Sequence, residues 1–160
     1  MPQARQTTAC RTRADAVNQH PITGAPTQPD ARPERAKPAV LIADDNRDAA
    51  DTLALCLQFD GHVVMVAYDG LAAIELATRE QPTVMLLDIG MPGLDGYEVA
   101  RRVRQQAWGR RTLLVALTGG GVDWARAQAA GFDVYFRKPI DPSVLSAWIA
   151  AQNDPQRLTP

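Results

Sequence analysis

Five short, mostly aliphatic runs, each followed by a segment with helical periodicity, constrain this chain more than any other feature of its sequence. The runs are Val40-Leu41-Ile42-Ala43, His62–Ala67, Thr83–Leu87, Leu113–Leu117 and Val134–Phe136. After them, Asp48–Phe59, Leu71–Thr78, Tyr97–Arg104, Trp124–Ala130 and Asp141–Ala150 space their apolar residues as helices do, for example Ala50, Leu53, Ala54 and Leu57. Gly61, Pro82 and Gly131 punctuate the pattern, and Asp141-Pro142 suits a capped helix start. Strands that are apolar on both sides need cover on both faces, and strands alternating with helices supply it as a parallel sheet between helix layers. The expected fold is therefore α/β, with five parallel strands and five flanking helices over residues 39–151.

The flanks differ in character. Residues 1–38 contain Pro2, Pro21, Pro26, Pro29, Pro33 and Pro38, with Val17 and Ile22 almost alone as large apolar residues. Such a segment buries too little surface to offset its ordering entropy. It is expected to be a disordered tail, or sequence upstream of the true translation start; a tether or docking arm is the other reading. Residues 152–160 form a short C-terminal tail. The formal net charge of −1 divides into +3 over residues 1–38 and −4 over the rest. An acidic folded part argues against direct nucleic-acid binding. No apolar run approaches the roughly 20 residues a membrane helix needs. Cys10 and Cys56 do not suggest a disulfide framework, which makes a reducing, cytoplasmic setting the expectation. His20 and His62 are too few for a Cys/His metal cluster.

Ligands of parallel α/β sheets bind beyond the carboxyl ends of the strands. In order, those ends carry Asp44-Asp45, Asp88, Thr118 and Lys138-Pro139. Taken singly, each is ordinary: an acidic pair can cap a helix, an Asp or Thr can form a turn, and a Lys can be a solvated surface residue. Together, they place three carboxylates, a hydroxyl and an ammonium on one rim. Clustered carboxylates repel unless a cation sits among them, and an all-oxygen donor set suits Mg²⁺. A Lys and a Thr are suited to the oxygens of a transferring phosphoryl group, and Asp is a covalent phosphate acceptor.

The stretches VLIADDN (40–46), VMLLDIGMPGLDGYEVARRVR (84–104), LLVALTG (113–119) and AGFDVYFRKPI (130–140) resemble the receiver domain of two-component response regulators. The run Asp88, Met91, Pro92, Asp95, Gly96 is the most specific part. The resemblance implies a flavodoxin-like, doubly wound sheet of order 2-1-3-4-5. It implies that Asp88 is the phosphoacceptor, taking its phosphoryl group from a histidine kinase or a phosphotransfer protein. It also implies Mg²⁺ bound directly by Asp45 and Asp88, partly through water by Asp44, and by the backbone carbonyl of Gly90. Lys138, aimed by a cis peptide at Pro139, would pair with Asp88 before phosphorylation and with phosphoryl oxygens after it. Thr118 would move to the phosphoryl group. Tyr135 occupies the family's aromatic switch position, though a half-buried strand aromatic explains it equally well. The implied protein is a regulatory phosphoacceptor, catalysing only its own phosphoryl transfer and loss. Its downstream partner would bind the last two helices and strand five, around Arg126, Tyr135, Arg137 and Trp148, and phosphorylation-dependent dimerisation is an open alternative.

Two positions depart from the usual pattern. Gly90 and Gly120, two residues beyond Asp88 and Thr118, lack the side chains that tune water access in this family. The lifetime of phospho-Asp88 is then expected to depend on solvent access, and the Gly119–Gly121 loop is expected to be mobile. After Ala150 only AQNDPQRLTP follows, too short to fold alone, so the expectation is a stand-alone docking switch or relay rather than a transcription factor. A haloacid-dehalogenase-type phosphatase would need a second acid where Gly90 stands. A flavodoxin-like small-molecule module would need a phosphate loop where Asp44-Asp45 stand. A receiver used only for docking has no need of the full Asp, Thr and Lys set.

Overall fold

The computed structural model describes residues 39–152. The expected tails, residues 1–38 and all but the first residue of 152–160, lie outside the described residues. Strands β1 (Ala39–Ala43), β2 (Val63–Ala67), β3 (Val84–Asp88), β4 (Leu113–Thr118) and β5 (Val134–Arg137) alternate with helices α1 (Arg47–Phe59), α2 (Gly70–Glu80), α3 (Gly96–Gln105), α4 (Trp124–Ala130) and α5 (Pro142–Gln152). All pairings are parallel, and the sheet order is β2-β1-β3-β4-β5. This is the doubly wound, flavodoxin-like order. Among the described residues, no helix is long and apolar enough to cross a membrane.

The two-residue period of the strands divides the core. Leu41, Met85, Leu87, Leu114 and Ala116 face α2, α3 and α4, where Ala73, Ala77, Val99, Ala100, Val103 and Ala127 meet them. Val40, Ile42, Leu86, Val115 and Leu117 face α1 and α5, where Ala50, Ala54, Leu57, Leu145 and Ile149 meet them. Small residues on the helices bring the helix axes close to the sheet. Acidic or amide N-caps start four of the helices: Asn46, Asp69, Asp95 and Asp123 each accept a backbone N–H three residues on. Asp141 accepts from the Ser143 N–H and hydroxyl at the start of α5.

Two features depart from the sequence expectation. A short 3₁₀ turn, Trp108–Arg110, lies between α3 and β4. His62 is not in β2 but buried just before it, its Nε2 3.1 Å from the Ser146 hydroxyl of α5. A third feature escaped the pattern altogether. Arg104 donates to the carbonyls of Gly109, Thr112 and Gly131 and to Asp133, all within 2.8 Å. One guanidinium thus ties the α3 end, the start of β4 and the α4–β5 turn together. Gly131 makes this possible: its backbone is left-handed (φ 105°), and a Cβ there would meet the Arg104 side chain.

Candidate functional site

The carboxyl ends of β1, β3, β4 and β5 converge on one rim. Asp44 follows β1 and is buried; its backbone N–H donates to the Ala67 carbonyl of β2. Its Oδ1 accepts from the Asn46 N–H at 3.0 Å, and its Oδ2 accepts from Lys138 Nζ at 2.6 Å. Asp88 ends β3, also buried, with Oδ1 accepting from the same Nζ at 2.6 Å and Oδ2 accepting from the Gly90 N–H at 2.8 Å. Asp45 is exposed. Carboxylate oxygens of Asp44, Asp45 and Asp88 lie within 4.8 Å of one another, so the three could hold one metal ion. The donors are hard oxygens with no His or Cys among them, which fits Mg²⁺.

Lys138 is delivered by β5. Its backbone N–H donates to the Thr118 carbonyl at 2.7 Å, and the following peptide, Lys138-Pro139, is cis, as expected. Burial works against its ammonium, but the hydrogen bonds it donates to Asp44 and Asp88, with their charges, outweigh that and raise its pKa above the ordinary 10.5. The sequence pointed to a Lys138–Asp88 pair; the structure adds Asp44 as an equal partner.

Local sequence positions Asp88. Asp95 caps α3 through the Glu98 N–H at 2.8 Å, and Gly96 brings the helix start against the Asp88 carbonyl, where a Cβ would clash. The Asp-Gly pair of the motif therefore fixes the backbone beneath Asp88. A Cβ on Gly90 would stand 3.2 Å from Asp88 Oδ2, whereas Gly119, Gly120 and Gly121 face open space.

Thr118 is buried at the end of β4, but its hydroxyl is engaged with the Gly120 carbonyl at 3.2 Å and N–H at 3.3 Å. Tyr135 points outward, 45% exposed, with its ring 5.4 Å from that of Trp124. Arg126 lies over the Tyr97 ring and 3.9 Å from Asp95. Trp148 packs edge-on against Phe136, whereas Tyr135 and Arg137 alternate with Phe136 along β5. The four residues expected at a partner surface are thus divided between the two sides of this edge strand. Sequence reasoning missed Arg47 and Tyr68, which stack beside the rim with the guanidinium 4.1 Å from the ring centroid; their positions just after Asp45 and β2 were the available signal.

Residues 40–150 match the family model described as the response regulator receiver domain. An uncharacterised 14.6 kDa protein from the sodA1 3′ region of Leptolyngbya boryana is 36% identical over 105 residues, 64% of this chain and 80% of that protein. Among solved structures, the chemotaxis protein CheY4 of Vibrio cholerae matches with a TM-score of 0.69 and 27% identity, over 72% of this chain and 98% of that one. The receiver domain of the sensor histidine kinase PA1611 of Pseudomonas aeruginosa PAO1, solved with a magnesium ion coordinated in its active-site cleft, matches with a TM-score of 0.66 and 30% identity, over 72% and 97%. With the sheet order and the acidic rim already in place, these matches establish that the chain belongs to the response regulator receiver domain family, the phosphoacceptor modules of two-component signalling.

Proposed function

We propose that Asp88 accepts a phosphoryl group from a phosphohistidine on a histidine kinase or phosphotransfer protein, and that the resulting charge switches a protein-binding surface. The observation that carries this reading is the single ammonium of Lys138 bridging Asp44 and Asp88 at 2.6 Å each, with Asp45 in the same cluster. Asp44, Asp45, Asp88 and the Gly90 carbonyl are the proposed Mg²⁺ site; when bound, the ion would neutralise charge on the phosphoryl oxygens. An Asp88 oxygen attacks phosphorus in line, the P–N bond breaks, and the imidazole nitrogen leaves with the electron pair. Lys138 releases a carboxylate and follows the phosphoryl oxygens. Thr118 exchanges its Gly120 contacts for the phosphoryl group, and Tyr135, freed from Trp124, turns inward. The phosphoryl group carries about −1.5 to −2 charge where the carboxylate carried −1, which biases the α4–β5–α5 face toward a downstream protein partner or a second copy. We place this chemistry in the cytoplasm, where histidine kinases present their phosphohistidine.

The test is intact mass after incubation with acetyl phosphate. The protein should gain one phosphoryl group with Mg²⁺ and none with a chelator; no gain under either condition would overturn the proposal. The glycines lead to a second expectation. Gly120→Glu projects a carboxylate into open space beside the site, and Gly90→Asn crowds Asp88 Oδ2. Each should change the decay rate of phospho-Asp88 severalfold, followed as loss of the phosphoryl mass. Wild-type decay in both variants would show that solvent access at these positions does not set the lifetime.

A further inference from the structure

We infer that Arg47 is the docking cation for an anionic phosphodonor at the rim of the acidic site, held ready by Tyr68 and Asp51. The inference rests on the proposed transfer to Asp88. Three carboxylates are only just balanced by one ammonium and a bound divalent ion, so the site has no positive charge to spare for drawing in a phosphoryl dianion from a distance. A cation standing at the entrance would supply that charge and orient the donor.

The charges on the surface narrow the choice. Arg79, Arg101, Arg102, Arg104 and Arg126 each have a carboxylate within 4.0 Å. Arg47, Arg110, Arg111 and Arg137 have none among the described residues. Arg110 and Arg111 precede β4 and so lie at the far end of the sheet from Asp88. Arg137 is exposed, with no side-chain hydrogen bond, ion pair or ring contact among the described residues. Arg47 differs on both counts. It follows Asp45 by two residues, and its guanidinium lies 4.1 Å from the centroid of the Tyr68 ring. Tyr68 is itself at the rim, next to Ala67, whose carbonyl accepts from the Asp44 N–H at 3.2 Å.

Tyr68 is fixed in turn. Its hydroxyl donates to Asp51 Oδ1 at 2.7 Å. That hydrogen bond, above all, raises the phenol pKa, so the hydroxyl remains a donor at neutral pH. Asp51 lies one turn along α1 from Arg47, where an ion pair would be expected; instead it serves Tyr68. Arg47 is therefore restrained by a ring face, which uses none of its N–H donors. A stacked guanidinium with its planar fork unspent suits bidentate contact with phosphoryl oxygens.

The reaction fixes what is measured. With acetyl phosphate, an Asp88 oxygen bonds to phosphorus, the phosphorus–acyl oxygen bond breaks, and acetate leaves with the electron pair. The initial rate of phosphoryl gain is followed against acetyl phosphate concentration at saturating Mg²⁺, in low and high salt. Arg47→Gln should raise the half-saturating concentration about tenfold, the loss of one charge-assisted contact. The limiting rate should stay within about twofold, since uniform binding is what is removed. Arg47→Lys should recover part of the loss, and Tyr68→Leu should raise the half-saturating concentration about threefold, the scale of an exposed cation–π contact. The wild-type rate should fall more steeply with salt than that of Arg47→Gln. A wild-type concentration dependence in Arg47→Gln overturns this inference alone. A fall in limiting rate with unchanged half-saturation also overturns it, because Arg47 would then act on the site rather than on the donor. A wild-type protein that acquires no phosphoryl group overturns the Asp88 reading along with it.

Discussion

Asp88→Asn should gain no phosphoryl mass from acetyl phosphate and Mg²⁺, yet unfold at the same or a higher denaturant concentration than the wild type. The two halves of this result have one cause. The amide keeps the shape of the carboxylate, so its oxygen can still accept from Lys138 or from the Gly90 N–H, the two contacts Asp88 makes now. It removes one negative charge from a cluster whose carboxylate oxygens lie within 4.8 Å of one another. Relief of that repulsion should leave stability unchanged or raise it by about 1 kcal/mol in Mg²⁺-free buffer. Mg²⁺ should then stabilise the variant less than the wild type, because one ligand has lost its charge. Chemical denaturation with and without Mg²⁺, beside intact mass, measures all three. Retained phosphorylation would move the acceptor elsewhere, and a loss of several kcal/mol would mean that the Asp88 charge serves the fold.

That trade between charge and stability could be anticipated from the sequence only in part. Apolar runs such as Val84–Leu87 carry their own evidence of burial on both faces, and the sheet with its two layers followed from them. The polar residues at the strand ends were legible for the same reason, since any polar residue ending such a run lies at the rim. What stayed hidden depends on backbone atoms or distant partners. Arg104 spends three of its four contacts on carbonyls, which carry no residue identity. His62 meets Ser146 across 84 positions of sequence. Thr118 bonds the Gly120 backbone because of the course of a glycine loop, which composition does not specify. The equal hold of Asp44 on Lys138 belongs to this group: order along the chain brings the three residues to one rim, but not the bridging of both carboxylates by one nitrogen.

That bridge makes Lys138→Met the substitution with the largest expected cost. Among the described residues, Lys138 is the one cation bonded to two buried carboxylates, whose side chains are only 4% and 10% exposed. Methionine fills much of the same volume but leaves both charges without their partner, and breaking a buried pair in this way costs about 3 kcal/mol. The pH dependence has a definite sign. The raised pKa of Lys138 means that its contribution is complete below the ordinary lysine value of 10.5 and is lost as pH rises through the folded value. The stability gap between wild type and Lys138→Met should therefore be full at neutral pH and close in strong alkali. Mg²⁺ offers the second handle. Removing a competing positive charge should tighten its binding several-fold, so the ion should restore more stability to the variant than it adds to the wild type. Phosphoryl transfer should nonetheless stay slow in the Mg²⁺-loaded variant, because no ammonium remains to follow the phosphoryl oxygens. Stability and transfer rescued together would reduce Lys138 to a counter-charge, whereas rescue of stability alone would assign it a part in the transfer itself.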